Sequence, residues 1–295
     1  MKFSTRFAPS PTGPLHLGHA YSALLAYDLA DRNSGTFLLR IEDIDQSRAR
    51  QHWEDQIYDD LTWLGLTWPG PVLRQSDRMP LYRQALNRLW SQGLLYPCTC
   101  NRKDVAAAAS APQEGYPLHG PDGVIYPGTC RERWTYQVQT KIPENVALRL
   151  NMSEALRRIA KDATGLRFRE TGSGPDGATG WIERSDEQML HGVGDVVLAR
   201  RGMGTSYHLS VVLDDAAQNI SHVVRGQDLF DATGIHVVLQ RLLGLETPTY
   251  HHHRLIRDDT GKRLAKRDDA RAIAKYRAEG ATPEDVRAMV GLQVC

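Results

Sequence analysis

The sequence predicts an α/β protein with a Rossmann-like parallel sheet, split by an insertion and followed by a small helical part. A strand–helix–strand unit lies within the first forty residues, and strand patterns return after residue 209. Cysteines, prolines and glycines dominate from residue 97 to about 180, which predicts the insertion. We expect a Rossmann-like domain over 1–96 and 186–244, the insertion over 97–185, and a loop with a C-terminal helical segment over 245–295.

Length and composition fit about two globular domains. The chain has 295 residues, of which 41% are hydrophobic and 24% charged, so disorder, collagen and coiled coil are excluded. We expect no membrane segment or signal peptide, because no stretch reaches the ~20 apolar residues of a spanning helix. The net charge of +1 predicts no global attraction to nucleic acid. Arginine outnumbers lysine 29 to 7, which suits phosphate recognition, although genome composition explains it equally well.

The first half contains the clearest elements. Residues 3–8 form a strand, 15–31 a helix that ends at an Asn-Ser-Gly turn, and 36–41 a second strand with few polar residues. Two amphipathic helices follow, the first ending at Gly65 and the second capped by Ser76 and ending before Gly93. Their apolar repeats are Trp53, Ile57, Leu61 and Leu64, then Tyr82, Ala85, Leu86, Leu89 and Trp90.

The second half is less regular. We expect strands at 210–213 and 220–225, a helix over 229–243, and a last short helix capped by Thr282 and stopped by Gly291. Asp214 and Asp215 then fall in a loop after a strand. The glycines of 172–177 match the dinucleotide pattern, but Pro175 removes an amide and no strand is expected before them, so a turn is predicted.

The most informative segment is the proline- and glycine-rich turn between the first strand and the first helix. His16 and His19 flank Gly18 at the helix start, where α/β sheets bind nucleotides and the helix N-terminus favours phosphate. Glycine at this position lets a nucleotide approach the backbone. The other interpretation is a capped helix start with two surface histidines.

His16-Leu17-Gly18-His19 resembles the HIGH motif of the class I aminoacyl-tRNA synthetases. The run from Arg6 through His19 resembles the glutamyl branch of that family, as do residues 40–45 and 223–229. The matches follow the family's order from residue 6 to about 267, nearly the whole chain. The resemblance implies a catalytic domain that binds ATP at His16, Gly18 and His19, with the two histidines catalytic.

A second basic motif lies downstream. Arg263-Leu264-Ala265-Lys266-Arg267 resembles the family's KMSKS loop, with arginine for the first lysine and alanine for the serine. Lys266 is the expected catalytic cation and Arg263 assists it in ATP binding, because a mobile cationic loop can stabilise departing pyrophosphate. Taken alone, such a loop is usually a solvated surface.

Three charged residues predict the substrate. Glu42 can hold an ammonium group, and Arg6 and Arg225 can each bind a carboxylate with two hydrogen bonds. The resemblance assigns the side-chain carboxylate of L-glutamate to Arg6 and completes the pocket with Ala8, Ser10 and Tyr207. Glutamine would leave a buried charge unpaired and be rejected. The alternative is that Glu42 and Arg225 pair with neighbours.

The insertion carries a candidate metal site. Three cysteines and a tyrosine can complete a closed tetrahedral zinc site, with His119 or a water as substitute for the tyrosine. The residues are Cys98, Cys100, Tyr126 and Cys130. One structural Zn²⁺ is expected, and reduced cysteines without metal are the alternative. The run 251–253 of histidines is not expected to bind metal, because adjacent rings point apart.

Only 28 residues follow Arg267, too few to bury a core of their own. The sequence therefore resembles the glutamyl-Q tRNA(Asp) synthetases, a truncated group within the glutamyl branch. The resemblance implies tRNA-independent activation of L-glutamate by ATP and Mg²⁺, then transfer to the queuosine base of tRNA(Asp). It also implies a monomer in the bacterial cytoplasm, without membrane partners.

Three other functions remain open. A shortened glutamyl-tRNA synthetase would charge the tRNA 3′ end. A nucleotidyltransferase would act on a small metabolite. The set of Arg6, Glu42 and Arg225 argues against this function. A silent RNA-binding module would tolerate replacement of His16 or Lys266, and the near-zero net charge disfavours it.

Overall fold

The computed structural model describes residues 2–109, 117–131, 133, 141–160, 165–257 and 271–293. Its strands are β1 (Ser4–Phe7), β2 (Thr36–Ile41), β3 (Leu73–Arg74), β4 (Leu95–Cys98), β5 (His119–Gly120), β6 (Gly123–Val124), β7 (Ala147–Leu150), β8 (Leu166–Glu170), β9 (Gly180–Arg184), β10 (Val197–Ala199), β11 (His222–Gly226) and β12 (Thr249–His253). Its helices are α1 (Leu17–Arg32), α2 (Gln51–Trp63), α3 (Met79–Ser91), α4 (Arg102–Ala109), α5 (Met152–Ile159), α6 (Tyr207–Ala217), α7 (Thr233–Leu243), α8 (Ile273–Ala278) and α9 (Pro283–Met289).

Parallel strands confirm the predicted α/β class. β1 pairs with β2 and β2 with β3, and β12 lies between β11 and β8, all in parallel. The set of strands β1, β2 and β3 meets the set β11, β12 and β8 at the starts of β1 and β11, where Ser4 N donates to Ser221 Oγ at 2.8 Å. The carboxyl ends of β1, β2 and β11 consequently lie together at one edge, the usual place for a ligand in such sheets.

Two apolar clusters hold this sheet in place. One packs α1 and α2 against β1 and β2 and includes Ile273 and Val286 of the C-terminal helices. The other joins α3, α5, α6 and α7 to β8 and the strands of the insertion. Arg287 binds both carboxylate oxygens of Asp28, at 2.8 and 2.9 Å, and so ties α9 to α1. Burial of both clusters provides the main stabilisation.

An antiparallel sheet in the order β10–β7–β4 combines β7 of the predicted insertion with β4, at its start, and β10, beyond its end, and the insertion also has a small hairpin of β5 and β6. β8 and β9 also fall within 97–185, but they extend the parallel sheet: Glu170 pairs with Tyr250, and β9 pairs with β8. The segment 166–184 therefore shares a sheet with β11 and β12. The division into domains stays a prediction.

Several local predictions are confirmed. Gly65 follows α2 with φ of +78°, a left-handed conformation that glycine adopts without strain. Thr282 caps α9 through a reciprocal hydrogen-bonded pair with Asp285, Pro283 begins the helix, and Gly291 follows it with φ of +71°. Local signals suffice at these positions because the partner groups lie within a few residues.

Other local predictions are wrong. Residues 210–213 lie in α6, and Asp214 and Asp215 are helical, because an apolar run flanked by buried polar residues fits a buried helix as well as a strand. A strand, β8, does precede the glycines of 172–177, although the predicted turn forms at Pro175–Gly177. A Cβ at Gly172 would collide with the carbonyl oxygen of His252, so glycine is needed there for close strand packing.

Two helix starts differ from the prediction. Ser76 lies in a 3₁₀ turn, Gln75–Arg78, and the α-helix begins at Met79. A similar turn at Gln227–Leu229 precedes α7, which begins at Thr233. In the described parts of the chain, no helix is long and apolar enough to cross a membrane.

Candidate active site

A cavity of about 360 Å³ opens at the carboxyl ends of β1, β2 and β11, beside the start of α1. It gathers most of the predicted site residues on one surface: Arg6, Ala8, His16, Gly18, His19, Glu42, Tyr207 and Arg225. Ser10 is not among its lining residues. Residues far apart in the chain thus share one space large enough for a small ligand.

The two histidines cap the helix and line the cavity at once. The Gly18 amide donates to His16 Nδ1 at 3.1 Å, and the His16 amide donates to His19 Nδ1 at 3.1 Å. Because each Nδ1 accepts, each neutral ring carries its proton on Nε2. A Cβ at Gly18 would lie 3.0 Å from the His16 ring, so glycine leaves room for that ring.

Arg6 and Glu42 belong to a buried chain of charges that sequence reasoning missed. Asp215 accepts from Arg6 Nε at 2.9 Å and from Arg40 Nη1 at 2.7 Å, and Arg40 Nη2 donates to Glu42 Oε1 at 3.0 Å. Arg6 Nη1 also donates to the carbonyl of Val224. A substrate carboxylate would therefore meet the remaining N–H groups of Arg6, since its Nε edge already faces Asp215.

The pKa values of Asp215 and Glu42 are shifted in opposite directions in this buried chain of charges. Burial opposes ionisation of Asp215, but Arg6 and Arg40 hold its pKa below the ordinary value. Burial raises the pKa of Glu42, against the opposing effect of Arg40 and Arg6. An ammonium group placed beside Glu42 would favour its ionised form.

Arg225 is held on several sides. Its Nε donates to His252 Nε2 at 3.0 Å, its Nη1 lies 3.0 Å from His236 Nδ1, and its Nη2 donates to Leu229 O at 3.2 Å and Thr233 Oγ1 at 2.8 Å. Four of its five N–H groups are thus engaged within the described structure. One N–H of Nη1 remains for a ligand, so the expectation that Arg225 binds a carboxylate with two hydrogen bonds is wrong: its neighbours already engage the other N–H groups.

The histidine run of β12 points in different directions, as predicted. His251 Nδ1 lies 3.1 Å from Thr171 Oγ1, His252 Nδ1 lies 2.5 Å from Glu170 Oε2, and His253 Nδ1 lies 2.8 Å from the Arg254 carbonyl. His253 lines the cavity, and burial lowers its pKa to about 4. Burial also lowers the pKa of His251 and of His252, and the Nδ1 atoms of the three rings face three different partners.

Arg263 and Lys266 lie outside the described residues. The chain on either side of them reaches the cavity, however. Ile256 lines it, and Ala272 forms an isolated bridge with His16. Ile273 N donates to the Leu15 carbonyl at 2.8 Å.

The insertion contains a compact group of metal-ligand atoms. The sulfur atoms of Cys98, Cys100 and Cys130 lie within 4.8 Å of one another, and the Tyr126 hydroxyl lies 3.5 Å from Cys100 Sγ. This arrangement can hold one metal ion. Among the described residues, no histidine joins this group, so His119 is not placed as its fourth ligand.

Protonation differs within the group. Burial raises the pKa of Cys130, but hydrogen bonds with Tyr126 and with the backbone at Thr99 outweigh it and bring the pKa to about 6. Burial also raises the pKa of Tyr126, whose ring lies under the Arg149 guanidinium at 3.8 Å. A thiolate is therefore available near neutral pH, whereas the tyrosine is a phenol until a metal displaces its proton.

Comparison with known proteins shows the family. A family model described as tRNA synthetases class I (E and Q), catalytic domain, matches residues 2–294. A glutamyl-Q tRNA(Asp) synthetase of Rhodobacter capsulatus is 64% identical over 98% of this chain and 99% of its own length. One from Symbiobacterium thermophilum is 40% identical over 95% of this chain and 83% of its own length.

A solved structure shows the same fold. It is a glutamate tRNA ligase from Elizabethkingia meningosepticum in complex with its amino acid, with a TM-score of 0.71 and 26% identity. The match covers 98% of this chain and 60% of that one, so the chain spans about three fifths of its length. The chain belongs to the class I tRNA synthetases of the glutamyl and glutaminyl type, within the group of the glutamyl-Q tRNA(Asp) synthetases.

Proposed function

We propose that this protein activates L-glutamate with ATP, without tRNA, and transfers the glutamyl group to the queuosine base of tRNA(Asp). One observation carries the proposal: Arg6, Glu42 and Arg225 line the same cavity as His16 and His19. An acidic amino acid and a triphosphate can therefore be held side by side. The names of the relatives supply the queuosine-bearing tRNA as acceptor.

The charges support glutamate as the amino acid. Glu42 binds the ammonium group, and the remaining N–H groups of Arg6 and Arg225 bind the two carboxylates, the side-chain carboxylate at Arg6. Ala8 and Tyr207 form part of the cavity wall. Ser10 lies two residues after Ala8, in the segment that follows β1. Glutamine would leave an arginine without a charged partner, so the neutral amide is disfavoured.

The activation step is an in-line displacement. A glutamate α-carboxylate oxygen bonds to the α-phosphorus of ATP while the bond to pyrophosphate breaks, giving glutamyl-adenylate. The nucleophile is ionised at neutral pH and needs no base. His16 and His19 donate from Nε2 to phosphate oxygens, and Lys266 with Arg263 stabilises the departing pyrophosphate. Bound Mg²⁺ would supply neutralising charge to the leaving group.

The cysteine group supports a structural Zn²⁺. Three thiolates and the Tyr126 oxygen form a closed donor set suited to tetrahedral zinc. Its role is to hold β4 and the segment 126–130 together, since Tyr126 and Cys130 pack only in a small separate cluster with Tyr96 and Cys98. We further propose a monomer acting in the bacterial cytoplasm, since the relatives that share this name are bacterial.

Exchange of labelled pyrophosphate into ATP tests the first step. We expect exchange with glutamate, and little with glutamine or aspartate, in the complete absence of RNA. Exchange that requires tRNA(Glu) would contradict the proposal. The second step is tested with labelled glutamate and tRNA(Asp) that carries or lacks queuosine. Label on the queuosine-containing tRNA alone is expected, and label at the 3′ end would favour the conventional charging reaction.

A further inference from the structure

Six buried or half-buried side chains form a continuous chain across the protein, in the order Asp122, His208, His236, Arg225, His252 and Glu170. His208 Nε2 lies 3.4 Å from Asp122 Oδ1, and His208 Nδ1 lies 3.2 Å from His236 Nε2. His236 Nδ1 and His252 Nε2 each lie 3.0 Å from a nitrogen of Arg225. His252 Nδ1 lies 2.5 Å from Glu170 Oε2. We call this set the Arg225 chain.

The protons of the Arg225 chain have one consistent arrangement. A guanidinium only donates, so His236 Nδ1 and His252 Nε2 must both accept from Arg225. His252 then carries its proton on Nδ1 and donates it to Glu170. His236 carries its proton on Nε2 and donates it to His208. His208 in turn donates from Nε2 to Asp122, so both arms end on a carboxylate.

Burial and charge support neutral rings at these positions. His236 is 2% and His252 1% exposed. Burial lowers the pKa of both, and the Arg225 charge lowers that of His236 further. Burial opposes ionisation of Asp122 and Glu170, but hydrogen bonds with His208 and His252 hold the pKa of each below its ordinary value.

We propose that His236, His208 and Asp122 on one arm, and His252 and Glu170 on the other, are positioning residues for glutamate binding through Arg225. The inference rests on the proposed function. Together with Thr233, the two arms fix the guanidinium plane at the wall of the cavity, which Arg225 lines. An arginine held in advance loses less conformational entropy when the ligand binds.

Asp122 gives the sharpest test, because it lies outside the cavity. It occupies the turn between β5 and β6, and its side chain is 25% exposed, so removing it opens no core. Replacement Asp122→Ala leaves His208 without its acceptor and loosens the arm. We expect the KM for glutamate to rise about three- to tenfold and the KM for ATP to stay unchanged, with a small fall in the melting temperature from the lost acceptor of His208.

His236 allows a conservative rescue. In His236→Asn the amide oxygen can take the place of Nδ1 as acceptor for Arg225, whereas His236→Leu offers no acceptor. The leucine variant should weaken glutamate binding about tenfold or more, and asparagine should recover most of the loss. Val238→Ala is the matched control: it lies in α7, is fully buried, and is not part of the chain. It should reduce stability and leave the KM for glutamate unchanged.

Calorimetric titration of each variant with glutamate separates this inference from the proposed function. If the wild-type protein binds glutamate but exchanges no pyrophosphate, the proposed function fails while the affinities still test the Arg225 chain. Weaker binding in Asp122→Ala and His236→Leu, with recovery in His236→Asn, is the expected result. Unchanged affinity in the first two, or an equal loss in Val238→Ala, would overturn the inference. A wild-type protein that binds no glutamate would overturn both.

Discussion

Arg6 Nε donates to Asp215 Oδ1 at 2.9 Å, and this pair joins two segments that are 209 residues apart in the sequence. The same carboxylate accepts from Arg40 at 2.7 Å, and Arg40 also pairs with Glu42, so two acids face two buried guanidinium groups. Arg6 is thereby fixed at the cavity wall before any substrate binds. Asp215 is consequently as important for the shape of the cavity as the residues that line it.

Replacement Asp215→Ala should be strongly destabilising, because the buried Arg6 would lose its carboxylate partner and the buried Arg40 one of its two. We expect a loss of about 3–5 kcal/mol in the free energy of unfolding, measured by urea titration. Asp45→Ala is the control, since Asp45 pairs with the exposed Arg48 and should cost less than about 1 kcal/mol. Equal losses in the two variants would contradict the assigned role of Asp215.

Substitution of His16 should distinguish its role as a helix cap from its role in catalysis. Asparagine can accept from the Gly18 amide as His16 does, so His16→Asn should fold with near wild-type stability. It offers no imidazole N–H to a phosphate, and glutamate-dependent pyrophosphate exchange should fall about 100-fold or more.

A second capped helix provides the control for His16. Replacing Thr282, the cap of α9, by alanine removes an equivalent hydrogen bond and should cost about 1 kcal/mol. Exchange activity should be unaffected in that variant. Full activity of His16→Asn would show that the histidine is present only as a cap.

The cysteine group should bind one zinc ion per chain. Cys98→Ser and Cys130→Ser should each remove the bound metal, measured by atomic absorption after dialysis, because a hydroxyl is a poor zinc ligand. Cys295→Ser, far along the sequence, should retain it.

Tyr126→Phe tests the fourth ligand separately. It preserves the ring under Arg149 and removes only the oxygen. Zinc affinity should fall while stoichiometric binding survives at excess metal. Unchanged affinity would assign the fourth position to another donor.

Acid should destabilise the protein through His253. Burial lowers its folded-state pKa to about 4 from 6.5, so the unfolded chain binds the proton first as the pH falls. This contribution to stability is fully present above pH 6.5 and is lost between pH 6.5 and about 4. The shift corresponds to about 3 kcal/mol.

His253→Gln should reduce the pH dependence of the melting temperature in that range. Part of the pH dependence should remain, because burial also lowers the pKa values of His251, His252 and His236. His52→Gln, at an exposed position of α2, is the control and should follow the wild-type profile. An unchanged slope in His253→Gln would contradict the assignment.

The sequence by itself determined the features whose partners lie close along the chain. Local spacing accounts for four of them: the strand–helix–strand unit, the placement of His16 and His19 at the start of α1, the Thr282 cap and the Cys98-x-Cys100 pair. The resemblance carried by those motifs predicted the set of residues that the cavity gathers. Backbone hydrogen bonds and turn preferences decide such features within a few residues.

Only the tertiary structure decided how distant segments pair. Nothing near Asp215 in the sequence indicates Arg6 and Arg40 as its partners, and the apolar run around 210–213 fits a strand as well as the helix α6. β8 joined the parallel sheet although its surroundings predicted a separate insertion. Pairing of buried charges and assignment of strands to a sheet depend on desolvation and packing over the whole fold, which no local pattern reports.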